Sequence, residues 1–275
     1  VVSLRFPSYA VRHPNQVVWL NHRMREYYDL WDDFSLRLNR KARLVEGVRR
    51  RALHFLDGRL LHRRAVIAQS KTIQQRLRRW GGIDSDVLYP PAPQRDYRCD
   101  DYNGAILVVG RLTKLKRVDL LIQAAAAAGG DWRVRIAGEG PERAKLVKLT
   151  RELSLEHRVV LLGELDEERL VHEYANCAAV YFGSRAEDYG LVTLEAFSSA
   201  KAVVTCTDSG GPAELVEDGV TGFVAKPEVD DVAVALERIT QETGLAERLG
   251  AAAAEVAAQH SWPAAVERLL AACQP

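Results

Sequence analysis

The sequence predicts an α/β protein whose strands form mostly parallel, doubly wound sheets. Short β-branched runs recur along the chain, amphipathic stretches long enough for helices separate them, and several runs end in glycine-containing turns. Successive parallel strands require crossover connections of about that length, and the crossover helices cover both faces of the sheet. At roughly 150 residues per domain, the 275 residues allow two such domains.

Eight runs are the predicted strands, and they lie at residues 17–20, 66–68, 87–89, 106–109, 134–137, 159–162, 179–182 and 203–205. Helix ends agree with this division. Ser70 is a predicted N-cap for a helix that stops at Gly81 and Gly82, and Ser261 precedes a predicted last helix over 262–272. Val1 is not a methionine and a strand-like run begins at once, so we expect a fragment or a processed product.

The predicted domain boundary is the proline-rich segment 89–93 and the polar run 94–103 that follows it, where neither a helix nor a central strand can continue. We predict an N-terminal domain over 1–93, a linker over 94–103, a second domain over 104–258, and a C-terminal helix over 259–275 that crosses back to the first domain. Residues 1–93 offer about three strands, fewer than a stable open sheet normally has, so the first domain is predicted to be incomplete.

Composition excludes several classes of protein. With 47% hydrophobic and 27% charged residues, the chain is neither collagenous nor disordered. Its 4 cysteines lack CxxC spacing, which predicts free thiols in a reducing compartment and excludes a zinc ribbon. No apolar run reaches the roughly 18 residues that span a bilayer, and no signal-peptide pattern opens the chain, so we expect a soluble, cytoplasmic protein.

Charge is unevenly distributed along the chain. Residues 1–99 hold 20 Lys/Arg and 9 Asp/Glu, a net charge of +11, whereas the remainder carries −10. Between Arg37 and Arg79 there are 14 basic residues against Glu46 and Asp57. If this segment is helical, its basic amphipathic surface favours an anionic partner such as the inner membrane face, and a solvated helix face is the alternative. Nucleic acid is disfavoured because no recognition motif accompanies the charge.

A basic turn follows the predicted strand 106–109. Gly110-Arg111-Leu112 and Lys116 come at the carboxyl end of that strand and just before a helix. Ligands of open α/β sheets bind at this end of the strands. Because cations at a helix N-terminus oppose the helix dipole, the turn indicates an anionic ligand such as a diphosphate, with a solvated loop as the alternative.

Two other patterns do not indicate a cofactor or a metal. Gly138-Glu139-Gly140 lacks the third glycine of a dinucleotide-binding turn, because Arg143 stands at that position. Asp84 and Asp86 have the spacing of a metal-binding carboxylate pair, but short turns of this composition form for local hydrogen-bonding reasons. No other cluster has metal-ligand spacing. We therefore predict neither a cofactor nor a metal.

The segment between Glu187 and Glu195 carries the most information. It follows the predicted strand 179–182, Gly190 permits a tight turn, and Glu195 falls in the next helix. Two carboxylates placed there can accept hydrogen bonds from the vicinal hydroxyls of a sugar and of a ribose. The alternative is an acidic helix start at Glu187 and an exposed helical residue at Glu195.

Taken together, these motifs resemble the retaining glycosyltransferases of family four (group 1). The resemblance covers residues 104 to about 262 and rests on ordered motifs at 110–112 with Lys116, 137–141, 162–163, 187–197, 210–211 and 219–223. It implies the GT-B architecture, in which two Rossmann-like domains face a cleft. It also implies that the C-terminal domain holds a nucleoside diphosphate sugar, of the UDP or GDP type.

The resemblance also implies roles for single residues. Arg111 and Lys116 correspond to residues that bind the donor diphosphate in place of a metal. Glu187 corresponds to a residue that contacts the donor sugar, Glu195 to one at the ribose, and His22 to a histidine that approaches the sugar. The implied catalytic residues are Glu187, His22, Arg111 and Lys116, and the implied donor site is Gly110, Arg111, Lys116, Gly138, Glu139, Leu162, Glu187, Asp188, Tyr189, Gly190, Leu191 and Glu195.

The resulting hypothesis is a metal-independent, retaining transferase that moves a glycosyl unit from a nucleoside diphosphate sugar to a saccharide or lipid-linked acceptor. The family's first strands and their glycine-rich loop have no counterpart in the sequence. Two alternatives therefore stay open. One is a nucleotide-sugar-binding remnant without turnover, and the other is a protein that binds anionic membrane surfaces.

Overall fold

The computed structural model describes residues 1–102 and 104–273, so Asn103 in the predicted linker and positions 274–275 of the predicted C-terminal segment lie outside the described residues. The chain divides into two compact units. The first is Val1–Pro90 together with Trp262–Pro275, and the second is Pro91–Ser261. The predicted domain boundaries stay a prediction.

The first unit contains a four-stranded parallel sheet with the order β1-β2-β3-β4. The strands are β1 Val2–Arg5, β2 Val17–His22, β3 Ala65–Ala68 and β4 Asp86–Val87. The helices between them are α1 Trp31–Ser35, α2 Arg40–Leu61 and α3 Lys71–Gly81, with 3-10 turns at Ser8–Ala10 and Arg25–Tyr27. The expectation of about three strands was therefore one too low, because the opening run pairs with β2.

The second unit contains a six-stranded parallel sheet with the order β10-β9-β8-β5-β6-β7. Its strands are β5 Ile106–Val109, β6 Val134–Ala137, β7 Val159–Gly163, β8 Ala179–Tyr181, β9 Ala202–Cys206 and β10 Gly222–Ala225. Its helices are α4 Val118–Ala127, α5 Arg143–Glu152, α6 Glu167–Asn176, α7 Leu191–Ser198, α8 Gly211–Leu215, α9 Val229–Gln241 and α10 Leu245–Ala258, with a 3-10 turn at Lys114–Lys116. The last helix of the chain, α11 Trp262–Ala272, belongs to the first unit.

Both faces of the first sheet are covered, as the sequence predicts for parallel strands. Successive residues of β2 point to opposite faces, so Val18 and Leu20 pack with residues of α2 and α3, while Val17 and Trp19 pack with α11. The Trp19 indole N–H donates to the Leu88 carbonyl at 2.8 Å, and its ring meets Trp262 edge to face at 6.3 Å. The helix α11 thus completes the core of the first unit.

Helix ends in the first unit follow the predicted capping signals. The Ser70 side chain accepts a hydrogen bond from the Ile73 amide at 3.1 Å, and α3 ends at Gly81 with Gly82 left-handed at φ +59°. Both features satisfy backbone groups that a helix end leaves unpaired. The predicted helix that starts after Ser70 and the predicted helix over 262–272 are confirmed.

A buried carboxylate joins α2 to the loops that precede it. Asp57 is 2% exposed and accepts hydrogen bonds from the hydroxyls of Tyr9 at 2.6 Å and Tyr28 at 2.5 Å. Burial, followed by the charge and hydrogen bond of Asp57, raises the pKa of both tyrosines. The hydroxyls therefore remain protonated donors, and the Arg23 guanidinium lies over the Tyr28 ring at 4.8 Å.

The core of the second unit lies between its sheet and the helices on both sides. Residues of β5, β6 and β9 form one cluster with α4, α9 and α10, and α4 packs directly on α9. All predicted strands of this unit are present. The strand β10 was not predicted, because Val224 is the one β-branched residue in its sequence Gly-Phe-Val-Ala.

No helix in the described ranges 1–102 and 104–273 is long and apolar enough to cross a membrane.

We expect Asp57→Ala to lower the free energy of unfolding of the first unit by roughly 2–5 kcal/mol, because two buried hydroxyls lose their acceptor. Four of the five tryptophans lie in this unit, so urea denaturation followed by tryptophan fluorescence measures the change. Asp84→Ala is the matched control, since Asp84 is exposed and its removal should change the free energy by less than about 0.5 kcal/mol. Equal effects of the two substitutions would contradict a structural role for Asp57.

Candidate active site

Backbone hydrogen bonds tie together the loops that follow β5, β8 and β9 at the carboxyl edge of the second sheet. The Arg185 amide donates to the Leu115 carbonyl at 2.7 Å, which joins the first two of these loops. The Glu187 amide donates to the Ser209 carbonyl at 2.7 Å, and the Gly211 amide donates to the Glu187 carbonyl at 3.1 Å. The backbones of these three loops are therefore held at fixed positions relative to one another.

A salt bridge crosses from the first of these loops to the second. The Lys116 ammonium lies 2.7 Å from Glu187 Oε2, with about a quarter of each side chain exposed, 23% and 24%. The same ammonium stands 4.6 Å from the centre of the Phe182 ring. The structure thus brings two predicted catalytic residues into direct contact, although they are 71 positions apart in the sequence.

Glycine is required where the turns after β5 and β6 approach each other. A Cβ atom on Gly138, which has φ +133°, would lie 2.0 Å from the Gly110 carbonyl oxygen. The Gly110 amide donates to the Ala137 carbonyl at 3.0 Å, and the Leu112 amide donates to the Glu139 carbonyl at 2.9 Å. These glycines serve close backbone packing in the connection from β6 to α5.

A pocket of about 570 Å³ opens between the turns after β5, β6 and β7. Its volume lies within the usual range for small-molecule sites. The predicted residues Gly110, Arg111, Gly138 and Glu139 line it. The full lining is Val109, Gly110, Arg111, Ala137, Gly138, Glu139, Gly140, Glu164, Leu165 and Leu170.

Leu162 and His22 are among the predicted site residues that do not line this pocket. Leu162 is a residue of β7 and does not line it, whereas Glu164 and Leu165 just beyond do. His22 belongs to the first unit, where it ends β2 and its Nδ1 lies 2.7 Å from the Arg23 carbonyl oxygen. The catalytic role of His22 stays a prediction.

A tight turn leads from Glu187 into α7. Gly190 has φ +86°, and a Cβ atom there would lie 2.5 Å from Pro212 Cγ, so the position requires glycine. Asp188 is half-buried, Tyr189 is buried, and Leu191 is the exposed first residue of α7. The backbone of Glu187 therefore lies beside the loop after β9, where its amide donates to the Ser209 carbonyl.

Glu195 is buried in α7 at 6% exposure, so its interpretation as an exposed helical residue is wrong. One carboxylate oxygen accepts a hydrogen bond from Arg95 Nη1, and the other accepts one from the Tyr174 hydroxyl at 2.7 Å. Burial, followed by the charge of Glu195, raises the pKa of Tyr174, so that hydroxyl remains a donor. Sequence analysis missed Arg95 because it lies in a run interpreted only as a linker.

A second ion pair joins the loops after β5 and β9, and it was not predicted from the sequence. Arg117 donates to both oxygens of Asp208, one of them at 2.6 Å. The hydrogen bond and the charge of the guanidinium hold the pKa of the Asp208 carboxyl below its usual value. Because Arg117 adopts φ +50° directly before α4, its side chain turns from the helix start toward β9.

Within residues 1–102 and 104–273 there is no group of three or more His, Cys, Asp or Glu side chains placed to hold a metal ion. Asp84 of the carboxylate pair considered above instead lies 3.2 Å from Arg78 Nε.

A match to a family model shows which family the chain belongs to. The model of the family described as "Glycosyl transferases group 1" matches residues 95–256, more than half of the chain. The chain belongs to the group 1 glycosyltransferases. The family resemblance predicted from the motifs is confirmed.

Curated members of the group 1 glycosyltransferases are similar to a large part of the chain. Alpha-D-kanosaminyltransferase of Streptomyces kanamyceticus is 35% identical over 192 residues, which cover 68% of this chain and 49% of that protein. D-inositol 3-phosphate glycosyltransferase of Mycolicibacterium smegmatis is 35% identical over 200 residues, which cover 69% of this chain and 45% of that protein. The chain thus spans about half the length of these relatives.

Solved structures agree with the predicted fold class. The crystal structure of Anabaena HepE (Alr3699) in complex with UDP and glucose matches with a TM-score of 0.73 at 19% identity, over 98% of both chains. Sucrose-phosphate synthase from Thermosynechococcus elongatus matches with a TM-score of 0.76 at 20% identity, over 94% of this chain and 69% of that one. This group 1 glycosyltransferase therefore has the predicted α/β, GT-B fold.

We expect Gly138→Ala to lower the free energy of unfolding of this group 1 glycosyltransferase by about 1–3 kcal/mol, because the new methyl group overlaps the Gly110 carbonyl. Differential scanning calorimetry measures the change. Gly129→Ala is the matched control, since a Cβ there would approach nothing closer than Glu237 Oε1 at 3.7 Å. An unchanged midpoint for Gly138→Ala would show that the two turns do not pack as described.

Proposed function

We propose that the chain transfers a glycosyl unit from a nucleoside diphosphate sugar to a saccharide or lipid-linked acceptor, with retention of anomeric configuration. The observation that carries this proposal is the salt bridge between Lys116 and Glu187. It lies on the carboxyl edge of the second sheet, where open α/β sheets bind ligands. Lys116 also lies near Gly110, a residue of the pocket lining, since a Cβ on Gly110 would lie 3.9 Å from the Lys116 Cε atom.

Arg111 and Lys116 are suited to hold the diphosphate of the donor. Arg111 is exposed and lines the pocket, so its guanidinium is free to turn toward a phosphate. Arginine and lysine both bind phosphate strongly, and fixed positive charge beside a departing diphosphate stabilises the negative charge that develops during transfer. We propose that these two side chains supply the charge that a metal supplies elsewhere, so the reaction needs no divalent cation.

Glu187 is suited to orient the transferred sugar. When a diphosphate binds, Lys116 gains a phosphate partner, which frees acceptor positions on the Glu187 carboxylate. A carboxylate accepts hydrogen bonds from neighbouring hydroxyls in a defined geometry. In the absence of donor, the salt bridge keeps both side chains at the positions that the reaction uses.

The nucleoside is proposed to occupy the 570 Å³ pocket. Its glycine-lined floor lets a flat base lie against backbone, and Glu139 and Glu164 are carboxylates at its margin. Glu195 has two protein partners, and an ionised carboxylate has about four acceptor positions, so it retains capacity for a ribose hydroxyl. Arg95 holds that carboxylate through its guanidinium.

The comparisons support a nucleotide-sugar donor. The relatives are named as kanosaminyl and inositol-phosphate glycosyltransferases, and the HepE structure contains UDP and glucose. We therefore propose a uridine or guanosine diphosphate sugar as the donor. If the chain binds that donor without transferring its sugar, the observations instead support a nucleotide-sugar-binding protein without turnover.

We expect Arg111→Ala and Lys116→Ala each to lower kcat by about 100-fold or more, because each removes a charge that stabilises the leaving diphosphate. Steady-state assays of sugar transfer measure the change. Lys114→Ala is the matched control, since Lys114 is exposed on the same 3-10 turn as Lys116. If Lys114→Ala loses as much activity as Lys116→Ala, net charge and not position is responsible.

We expect the glycosidic product to keep the anomeric configuration of the donor, and the rate to be unchanged by EDTA. Proton NMR of the product identifies the anomer through its coupling constant, and an assay with and without EDTA tests the metal. An inverted product would contradict the retaining mechanism. A rate restored by magnesium after EDTA would contradict the role given to Arg111 and Lys116.

A further inference from the structure

The long helix α2 of the first unit exposes its apolar side. Its 22 residues extend about 33 Å. Phe55 is 66% exposed and Leu44 is 73% exposed, although helices of globular proteins usually bury such side chains. The exposed apolar residues lie at helical spacing and form one continuous surface, which we call the apolar stripe: Leu44, Val45, Val48, Ala52, Phe55 and Leu56.

The opposite side of α2 faces the protein, through polar contacts as well as through the buried Leu61. Arg50 Nε donates to the Tyr27 carbonyl at 2.8 Å, and His54 Nε2 lies 2.8 Å from the same oxygen. Asp57 carries the two tyrosine hydrogen bonds described above. Because polar contacts and rings hold this side, the helix cannot bury the apolar stripe by rotating. The exposure is a property of the fold.

Basic residues surround the apolar stripe, and the two acidic residues in this part of the sequence are not exposed. The only acidic residues between Arg37 and Arg63 are Glu46 and Asp57. Glu46 accepts a hydrogen bond from Tyr27 and pairs with Arg49, and Asp57 is buried. The exposed cations of this stretch are Arg37, Arg40, Lys41, Arg43, Arg49, Arg51, Arg59 and Arg63.

A cationic pocket of about 710 Å³ adjoins the carboxyl end of the stripe. Its lining holds four arginines and one histidine without any carboxylate: Arg12, His13, Pro14, Gln16, Arg59, Leu60, Arg63 and Arg64. Arg64 is tied to Gln16 and to two carbonyls. In the part of the chain that the structure describes, Arg12, Arg59 and Arg63 form no ion pair.

We propose that this face of the first unit binds the surface of an anionic phospholipid bilayer. The apolar stripe enters the boundary between headgroups and acyl chains, and the cationic pocket takes the phosphate of a lipid headgroup. An amphipathic helix that lies in the plane of a membrane has this arrangement of an apolar side between cationic margins. Clusters of lysine and arginine are attracted to the negative potential of such a surface.

Charge complementarity favours a bilayer over a second copy of the chain. Two copies that met stripe to stripe would bring the two sets of unpaired arginines together, and like charges in contact oppose association. An anionic surface neutralises the same arginines at many positions at once. The proposal concerns only the first unit, so it holds or fails independently of the donor site proposed in the second.

The test is sedimentation of the full chain with vesicles, and three results are expected. The chain binds vesicles of phosphatidylglycerol mixed with phosphatidylcholine and not vesicles of phosphatidylcholine alone. Binding weakens between about 0.1 M and 1 M salt, as the screening length falls from about 10 Å to about 3 Å. The triple change Arg12→Gln, Arg59→Gln and Arg63→Gln weakens it about 10²-fold, or roughly fivefold per arginine.

A second variant tests the stripe itself. Leu44→Ser, Val48→Ser and Phe55→Ser together are expected to weaken vesicle binding at least about tenfold, because less apolar surface enters the membrane. All three side chains are exposed, so an unchanged circular dichroism spectrum and unchanged nucleotide binding are expected. The matched apolar control is Val234→Ser, Val266→Ser and Leu270→Ser, which changes exposed residues elsewhere. The matched charge control is Lys148→Gln, Arg151→Gln and Arg248→Gln.

Four outcomes would overturn the proposal. The first is equal binding to anionic and zwitterionic vesicles, and the second is equal loss in the control and test variants. The third is binding of inorganic phosphate by the pocket without any vesicle binding. The fourth is a dimer of the wild-type chain, seen by analytical ultracentrifugation, that the Leu44, Val48 and Phe55 changes convert to monomer.

Discussion

The candidate site depends on backbone contacts among the turns at one edge of the second sheet. Gly138 fits against the Gly110 carbonyl only because it lacks a Cβ, and the Glu187 and Gly211 amides bond the loops after β8 and β9 to each other. Backbone contacts of this kind fix the main-chain positions from which the side chains of the turns extend. The geometry of Lys116 and Glu187 therefore follows from main-chain packing.

Fixed geometry is what charge stabilisation by side chains requires. Ordering a mobile lysine or arginine side chain costs free energy. A side chain that is already held in place lowers the activation barrier without that cost. Here Glu187 holds Lys116, Asp208 holds Arg117, and Glu195 holds Arg95. The second unit thus places three cations by pairing each with a carboxylate, whereas Arg111 lines the pocket from an exposed position.

Local patterns predicted much of the fold, since β-branched runs and capping residues act over a few positions. The eight strands and the caps at Ser70 and Gly82 depend on such local signals. No local signal predicts that Arg95 is the partner of Glu195, because Arg95 lies 100 positions away and contacts Glu195 only through the tertiary fold. Likewise, the composition of α2 indicates a basic amphipathic helix, but the buried contacts of Asp57 decide which side faces outward.

Thermal unfolding of the full chain with UDP, GDP and ADP and their sugar conjugates tests the central claim most directly. A ligand at about 100 times its Kd stabilises the folded state by about 2.7 kcal/mol, which moves the midpoint visibly. The account predicts a shift with one nucleotide, equal with and without magnesium, and absent in Lys116→Ala. No shift with any nucleotide, or an equal shift in Lys116→Ala, would contradict a donor site built on Lys116 and Glu187.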